Sequence, residues 1–271
     1  MSPSHQIRQN VAVHDRLAGV YDSIHDEIFN PIEQERLHRA LSIAIEAIQT
    51  NSQRKRALDF GCGSGNLTRC FLEFGLHTVS ADVAPRFLEL IKTRHGATGL
   101  SETLLLNGED LSNVDDETFD LVAAYSVLHH IPDYLAAVRE LVRVTKRGGV
   151  IYLDHEHNAH YWDRSNDYTT FVRLAKEHRA DGSRTRPPWI KRKLRQLRRL
   201  INPRHKTEGD IHVWPDDHIE WERIEGVFAE TNCETVYRDD YLLYMSRYPS
   251  ELYEQYRDKC TDMRVTAARR R

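Results

Sequence analysis

An adjacent histidine pair, His129 and His130, and a run of four titratable residues, Asp154, His155, Glu156 and His157, are the parts of this sequence best able to move a proton or hold an ion. A histidine near its ordinary pKa accepts a proton at neutral pH, and a carboxylate beside it orients the ring and stabilises the imidazolium. His129 or His130 is therefore the expected general base, with Asp154 the carboxylate expected behind it. The same run also invites a metal. In an extended segment His155 and His157 share one face while Asp154 and Glu156 share the other, so the four cannot converge without a bend. Further ligands would have to come from His129, His130, His160 or His212. A divalent ion is weighed on this ground but not favoured, and its ligand set stays open.

These groups share a location only if strands end beneath them. From Arg54 onward, short β-like runs alternate with helical patterns, the signature of a parallel sheet wound by helices. The runs are "RALDFG", "HTVSAD", "ETLLLN", "FDLVAAYS" and "GGVIYLDHE". The fourth leads into the histidine pair and the fifth ends in the titratable run. In open α/β sheets the ligand crevice lies beyond the carboxyl ends of the strands, which is where both groups would stand. Between them, "PDYLAAVRELVRVTK" reads as an amphipathic helix with Leu135, Val138, Leu141 and Val142 inward. Near the end, residues 216–231 read as a helix. "CETVYRDDYLLYMSR" reads as two strands meeting at Asp239 and Asp240, a hairpin completing the sheet.

Behind the first strand, "ALDFGCGSGNLT" places Gly61, Gly63 and Gly65 within five positions. A Gly-rich strand-to-helix turn allows positive φ and lets a ligand touch the backbone, although a tight turn without a ligand is also compatible with it. The spacing differs from the G-x-G-x-x-G of dinucleotide enzymes. About 20 residues on, Asp82 followed by Val83 ends the second strand, where a carboxylate can accept from both hydroxyls of a ribose. Asp59, inside an otherwise apolar strand, requires a cationic or hydrogen-bonding partner, and a ligand ammonium is one candidate.

On these motifs residues 55–155 resemble the class I S-adenosylmethionine-dependent methyltransferases. "ALDFGCGSGNLT" resembles the first cofactor motif, "SADVA" carries the ribose acid and "LNGEDL" is similar to the adenine segment. "FDLVAAYSVLHHIPD" and "LVRVTKRGGVIYLD" correspond to the fourth motif and the helix and strand after it. The resemblance implies a Rossmann-like α/β fold, a seven-stranded sheet with its last strand antiparallel and helices on both faces. It implies S-adenosylmethionine as cofactor, its methionyl part near Asp59, Gly61 and Gly63 and the backbone of Tyr125 and Ser126. The adenine would lie by Asn107, Gly108 and Glu109, with an amide at Asn107 where the family commonly has an acid. Tyr21, in a "YD" segment similar to one that covers the cofactor, is a candidate lid residue, with plain aromatic packing the alternative. The histidine pair and Asp154 are similar to the arrangement in small-molecule and sugar O-methyltransferases.

With 271 residues and 38 basic against 41 acidic side chains, the chain fits one α/β core with additions and has no overall polyelectrolyte character. Four scattered cysteines without a CxxC pair fit reduced thiols, and no long apolar run suggests a signal or a membrane span, so a soluble cytoplasmic protein is expected. The divisions read as an N-terminal helical cap (1–53), a cofactor-binding core (54–154), a helical lid inserted before the last helix (155–213) and the end of the core (214–271: helix, hairpin, basic tail). Within the lid, residues 184–206 form a basic amphipathic pattern with Ile190, Leu194, Leu197 and Ile201 at helical spacing. This pattern admits three readings: a solvated face, an anionic-substrate contact, or a peripheral contact with an anionic membrane. Nucleic acid is disfavoured, since no RNA module accompanies the charge. His155, His157, Tyr161, Trp162, His212 and Trp214 are candidate substrate contacts. The reading as a whole is methyl transfer to a hydroxyl of a small molecule, with a saccharide or glycosylated metabolite preferred. The alternatives are a lipid or quinone-like acceptor at a membrane surface, or a non-catalytic cofactor-binding protein. Oligomeric state is left open.

Overall fold

The computed structural model describes residues 11, 12, 14, 15, 18, 19, 21–178 and 210–271. The chain enters through α1 (Tyr21–Ile24), α2 (Asp26–Phe29) and α3 (Pro31–Glu46). Asn30 caps α3 by accepting from the Glu33 amide at 3.0 Å, and Pro31 fits the first turn, where no amide is needed. The alternating core follows: β1 (Arg56–Phe60), α4 (Asn66–Glu73), β2 (His77–Asp82), α5 (Pro85–His95), β3 (Ser101–Leu105), β4 (Phe119–Tyr125), α6 (Tyr134–Val144) and β5 (Thr145–His157). Next come α7 (Ala159–Asp163) and α8 (Asn166–His178), then the short pair β6 (Val213–Trp214) and β7 (Asp217–His218). The end of the chain is α9 (Trp221–Glu230), β8 (Cys233–Tyr241), α10 (Ser250–Tyr256) and β9 (Met263–Arg270).

The main sheet has seven strands in the order β3-β2-β1-β4-β5-β9-β8. β1 to β5 pair in parallel, while β9 runs antiparallel to both β5 and β8. The order reverses between β1 and β4, and that switch point opens a crevice at the carboxyl ends of the strands.

The period of two along each strand divides the core into two apolar layers. Leu58, Val122, Ile151 and Ala268 face α6 and α9, meeting Val138, Leu141, Trp221 and Phe228. Ala57, Ala123, Tyr152 and Ala267 face α3 and α4, meeting Leu37, Leu41, Leu67 and Phe71. The helix expected as a cap is thus part of a core layer. Helices α8 and α10 form a satellite cluster around Phe171, Tyr253 and Tyr256.

Three expectations change. The antiparallel pair closing the sheet is β8 with β9, two strands linked through α10; Asp239 and Asp240 pass straight through β8 instead of forming a turn. The basic tail is β9, whose arginines are neutralised where they lie: Arg264 donates to Asp240 and Arg269 to Glu234. β5 continues through His157, which pairs with Met263, so residues 155–157 belong to the sheet and not to an insertion. The basic pattern at 184–206 lies outside the described residues. No helix among the described residues is long and apolar enough to cross a membrane.

Candidate functional site

The loop between β1 and α4 uses its three glycines differently. All have positive φ: 71° at Gly61, 50° at Gly63 and 98° at Gly65. A Cβ on Gly61 would stand 2.6 Å from a methyl of Val127, and one on Gly65 would stand 2.5 Å from Ile91, so these two let neighbouring elements approach. A Cβ on Gly63 would meet nothing within 4 Å. Gly63 borders a cavity at the switch point that Asp59, Gly61, Asp82, Val83, Tyr125 and Ser126 also line. Gly65 does not line it; its lack of a side chain serves the packing of the loop against Ile91.

Asp59 is buried, and its Oδ2 accepts from the Thr68 amide at 2.8 Å and the Thr68 hydroxyl at 2.6 Å. The partner sought at the sequence level is thus first of all α4 itself. Burial still pushes the Asp59 carboxyl up to about 7. Asp82 closes the loop from the other side: its two oxygens accept from the amides of Gly63 at 2.9 Å and Ala84 at 2.8 Å. Burial, opposed by those hydrogen bonds, places its carboxyl at about 6. Each carboxylate oxygen keeps a second acceptor direction, so the residue can shape the loop and still receive ribose hydroxyls.

The adenine segment is corrected at one position. Asn107 is exposed and turned to its own loop, accepting from the amides of Glu109 and Asp110 and donating to Asp110 Oδ1. Gly108, Glu109 and Asp110 line the cavity and Asn107 does not. The acid available there is Asp110, held below the usual carboxylate range chiefly by its hydrogen bond from Asn107. Tyr21 lines the same cavity and sets its ring edge-on to Phe87, so it both covers the crevice and packs as an aromatic post.

A second cavity adjoins the first. It is lined by Ser126, His129, His155, Glu156, His157, Tyr161, Asp210, His212, Val213, Ile219 and Met263. Ser126, with φ 59°, lines both. The histidine pair is divided between them: His129 faces the second cavity and His130 the first, on a single 3-10 turn with ring centroids 4.1 Å apart. The carboxylate behind the pair is Glu156, whose Oε2 lies 2.9 Å from His129 Nδ1 while its Oε1 accepts from the Leu128 amide at 2.7 Å.

Asp154 is elsewhere. It is 1% exposed and saturated by Arg36 from α3, the hydroxyls of Tyr152 and Tyr241, and the His155 amide. The register between β5 and β9 slips between Leu153 and Glu156, and His155 adopts φ 65°. This bulge removes the regular alternation that would have put Asp154 and Glu156 together. It sends one carboxylate to Arg36 and the other to His129.

His155 is buried against Tyr125, with centroids 4.7 Å apart. Burial, aided by nearby Arg36, holds its imidazole well below the ordinary value, hence neutral, and its Nε2 has no hydrogen-bond partner among the described residues. His157 stacks on Tyr161 at 3.6 Å. His212 is tied to Asp217 and the Ile131 carbonyl. Trp162 packs on Tyr161 and His218, and Trp214 sits in β6; neither tryptophan lines either cavity. His14 and Asp210, which line the first and second cavities, lie outside every motif and carry no local signal that could have found them.

The Methyltransferase domain family matches residues 58–153. A Ubiquinone biosynthesis O-methyltransferase of Xanthomonas euvesicatoria pv. vesicatoria is 28% identical over 123 residues, 44% of this chain and 52% of the relative. The chain thus spans about half the length of the curated relatives it matches. In fold it is similar to an S-adenosylmethionine dependent methyltransferase from Mesorhizobium loti (TM-score 0.54, 20% identity, 85% of this chain and 98% of that one). It is also similar to geranyl diphosphate C-methyltransferase from Streptomyces coelicolor A3(2) (TM-score 0.53, 15% identity, 88% and 80%).

Proposed function

We propose, from the premise that residues 58–153 are a class I S-adenosylmethionine-dependent methyltransferase domain, that this chain methylates a hydroxyl oxygen of a small polar molecule, a saccharide or glycosylated metabolite. The observation carrying this reading is the division of the histidine pair between two cavities that meet at Ser126. The first cavity suits the cofactor: Gly63 leaves its backbone open to a ligand, Asp82 is positioned for ribose hydroxyls, and Phe60, Val83 and Leu106 give apolar walls. When bound, S-adenosylmethionine supplies a methyl group on a cationic sulfur that leaves as a neutral thioether.

The second cavity suits the acceptor. Glu156 accepts from Nδ1–H of His129, so the imidazole lone pair lies on Nε2. As the acceptor oxygen forms its new bond to carbon, its proton passes to Nε2, and Glu156 stabilises the resulting imidazolium. The buried neutral His155 gives an uncharged hydrogen-bonding contact, which favours a hydroxylated acceptor over a cationic or anionic one. A quinone-like phenol is the second reading, favoured by the name of the curated relatives and by Tyr161, Ile219 and Met263 in the cavity wall.

Transfer of labelled methyl from S-adenosylmethionine into a cell extract separates the readings. Label in the aqueous small-molecule fraction supports the first, and label in the lipid fraction the second. Tight cofactor binding with no label in any fraction would sink both.

Cofactor affinity should depend on pH and on Asp82. Asp59 at about 7 and Asp82 at about 6 are raised by burial, so each is increasingly protonated as pH falls through its value. A cationic ligand whose hydroxyls donate to Asp82 prefers both ionised. Binding therefore releases protons, and affinity rises from pH 5 to pH 8. Titration calorimetry in buffers of different ionisation enthalpy reads both effects. Asp82→Ala should weaken binding at least about tenfold at pH 8 and flatten the profile. A pH-independent affinity would refute the assignment.

A further inference from the structure

Where the two cavities meet, His129, His130 and Asp210 offer one donor atom each within 4.8 Å of one another. His130 Nδ1 and Asp210 Oδ1 are 3.6 Å apart. An ion with ligand bonds of about 2.0–2.2 Å spans donors roughly 3–3.6 Å apart, so this pair is already at bridging distance and the third has at most about an ångström to close. The three come from segments already fastened together. The backbone amides of Ile211 and His212, beside Asp210, donate to the His129 carbonyl at 3.0 and 3.1 Å.

We propose that His129, His130 and Asp210 form a binding site for a borderline transition-metal dication of the zinc class, and that its occupation blocks proton transfer at His129. Two imidazoles and one carboxylate select such ions over magnesium or calcium, which require mostly oxygen ligands. Glu156 supplies the outer support such a site needs: it fixes Nδ1 of His129 and so presents Nε2 to the ion. The lone pair that coordinates the ion is the one that accepts the acceptor's proton, so an occupied site leaves no base. The block rests on the proposed methyl-transfer reading; the site does not.

The purified chain, stripped with a chelator, is titrated with Co²⁺ and followed by its visible absorption, with Mg²⁺ as competitor. Saturation at one ion per chain, undisturbed by millimolar Mg²⁺, is expected. His130→Ala and Asp210→Ala, checked for folding by their melting curves, should each weaken binding at least about tenfold. Absence of the cobalt band, equal competition by Mg²⁺, or unchanged affinity in both variants overturns the site. In parallel, Zn²⁺ at saturation should suppress methyl transfer and a chelator should restore it. Binding with undiminished transfer overturns the block. Binding by a chain that transfers no methyl group under any condition supports the site and counts against the methyl-transfer reading instead.

Discussion

Replacing His129 by alanine, in the presence of a chelator, is expected to cut methyl transfer by about 10²- to 10⁴-fold, the usual span for loss of a general base. The fall should appear in kcat. Cofactor affinity should stay near that of the parent chain, because the His129 ring lines the second cavity and not the one bounded by Asp82 and the glycine loop. His130→Ala should behave in the opposite way, since His130 lines the cofactor cavity: weaker cofactor binding with a smaller fall in kcat. Glu156→Gln keeps an acceptor for the Leu128 amide but removes the charge beside the imidazolium, and should lower kcat by about tenfold or more. Steady-state kinetics together with cofactor titration distinguish these outcomes. If His129→Ala retained transfer within about threefold of the parent, general-base catalysis by this residue would be abandoned.

Asp154→Ala should act on stability. The side chain closes a buried network in which Arg36 also holds Glu33 at 2.8 Å and lies 3.7 Å from the centroid of the Tyr241 ring. Removing the carboxylate leaves the partly buried Arg36 guanidinium with Glu33 alone and two buried phenol hydroxyls without their acceptor, a change that costs about 2–4 kcal/mol. Urea denaturation should show that loss, and the melting temperature should fall by roughly 10 °C. The His129 variant, whose ring is partly exposed, should melt close to the parent chain. Protein that remains folded should keep transfer close to the parent rate, because Asp154 bonds to Arg36, Tyr152 and Tyr241 while His129 faces Glu156. An Asp154→Ala chain with unchanged unfolding and abolished transfer would return Asp154 to the place behind the histidines that its position in the sequence suggested.

The two carboxylates show where reading the sequence stops. The βα alternation, the glycine turn, the acid at Asp82 and the placing of titratable residues at the ends of the fourth and fifth strands were all legible, because each depends on local periodicity or on a backbone need met by few residue types. Which carboxylate serves His129 was not legible. That choice turns on a bulge of β5 against β9, a strand more than a hundred residues away and disguised as a basic tail. In the sequence it is a basic tail; in the fold Asp240 and Glu234 on β8 accept from two of its arginines. In the same way Asn107 carries the sequence position of an adenine contact, yet its amide is consumed by its own turn, and Asp110 lines the cavity where Asn107 does not. Local sequence determined the strands, the helices and the chemical types available at their ends. The pairing of distant strands decided which of those groups meet, because a one-residue slip in register reverses the direction of the side chains beyond it.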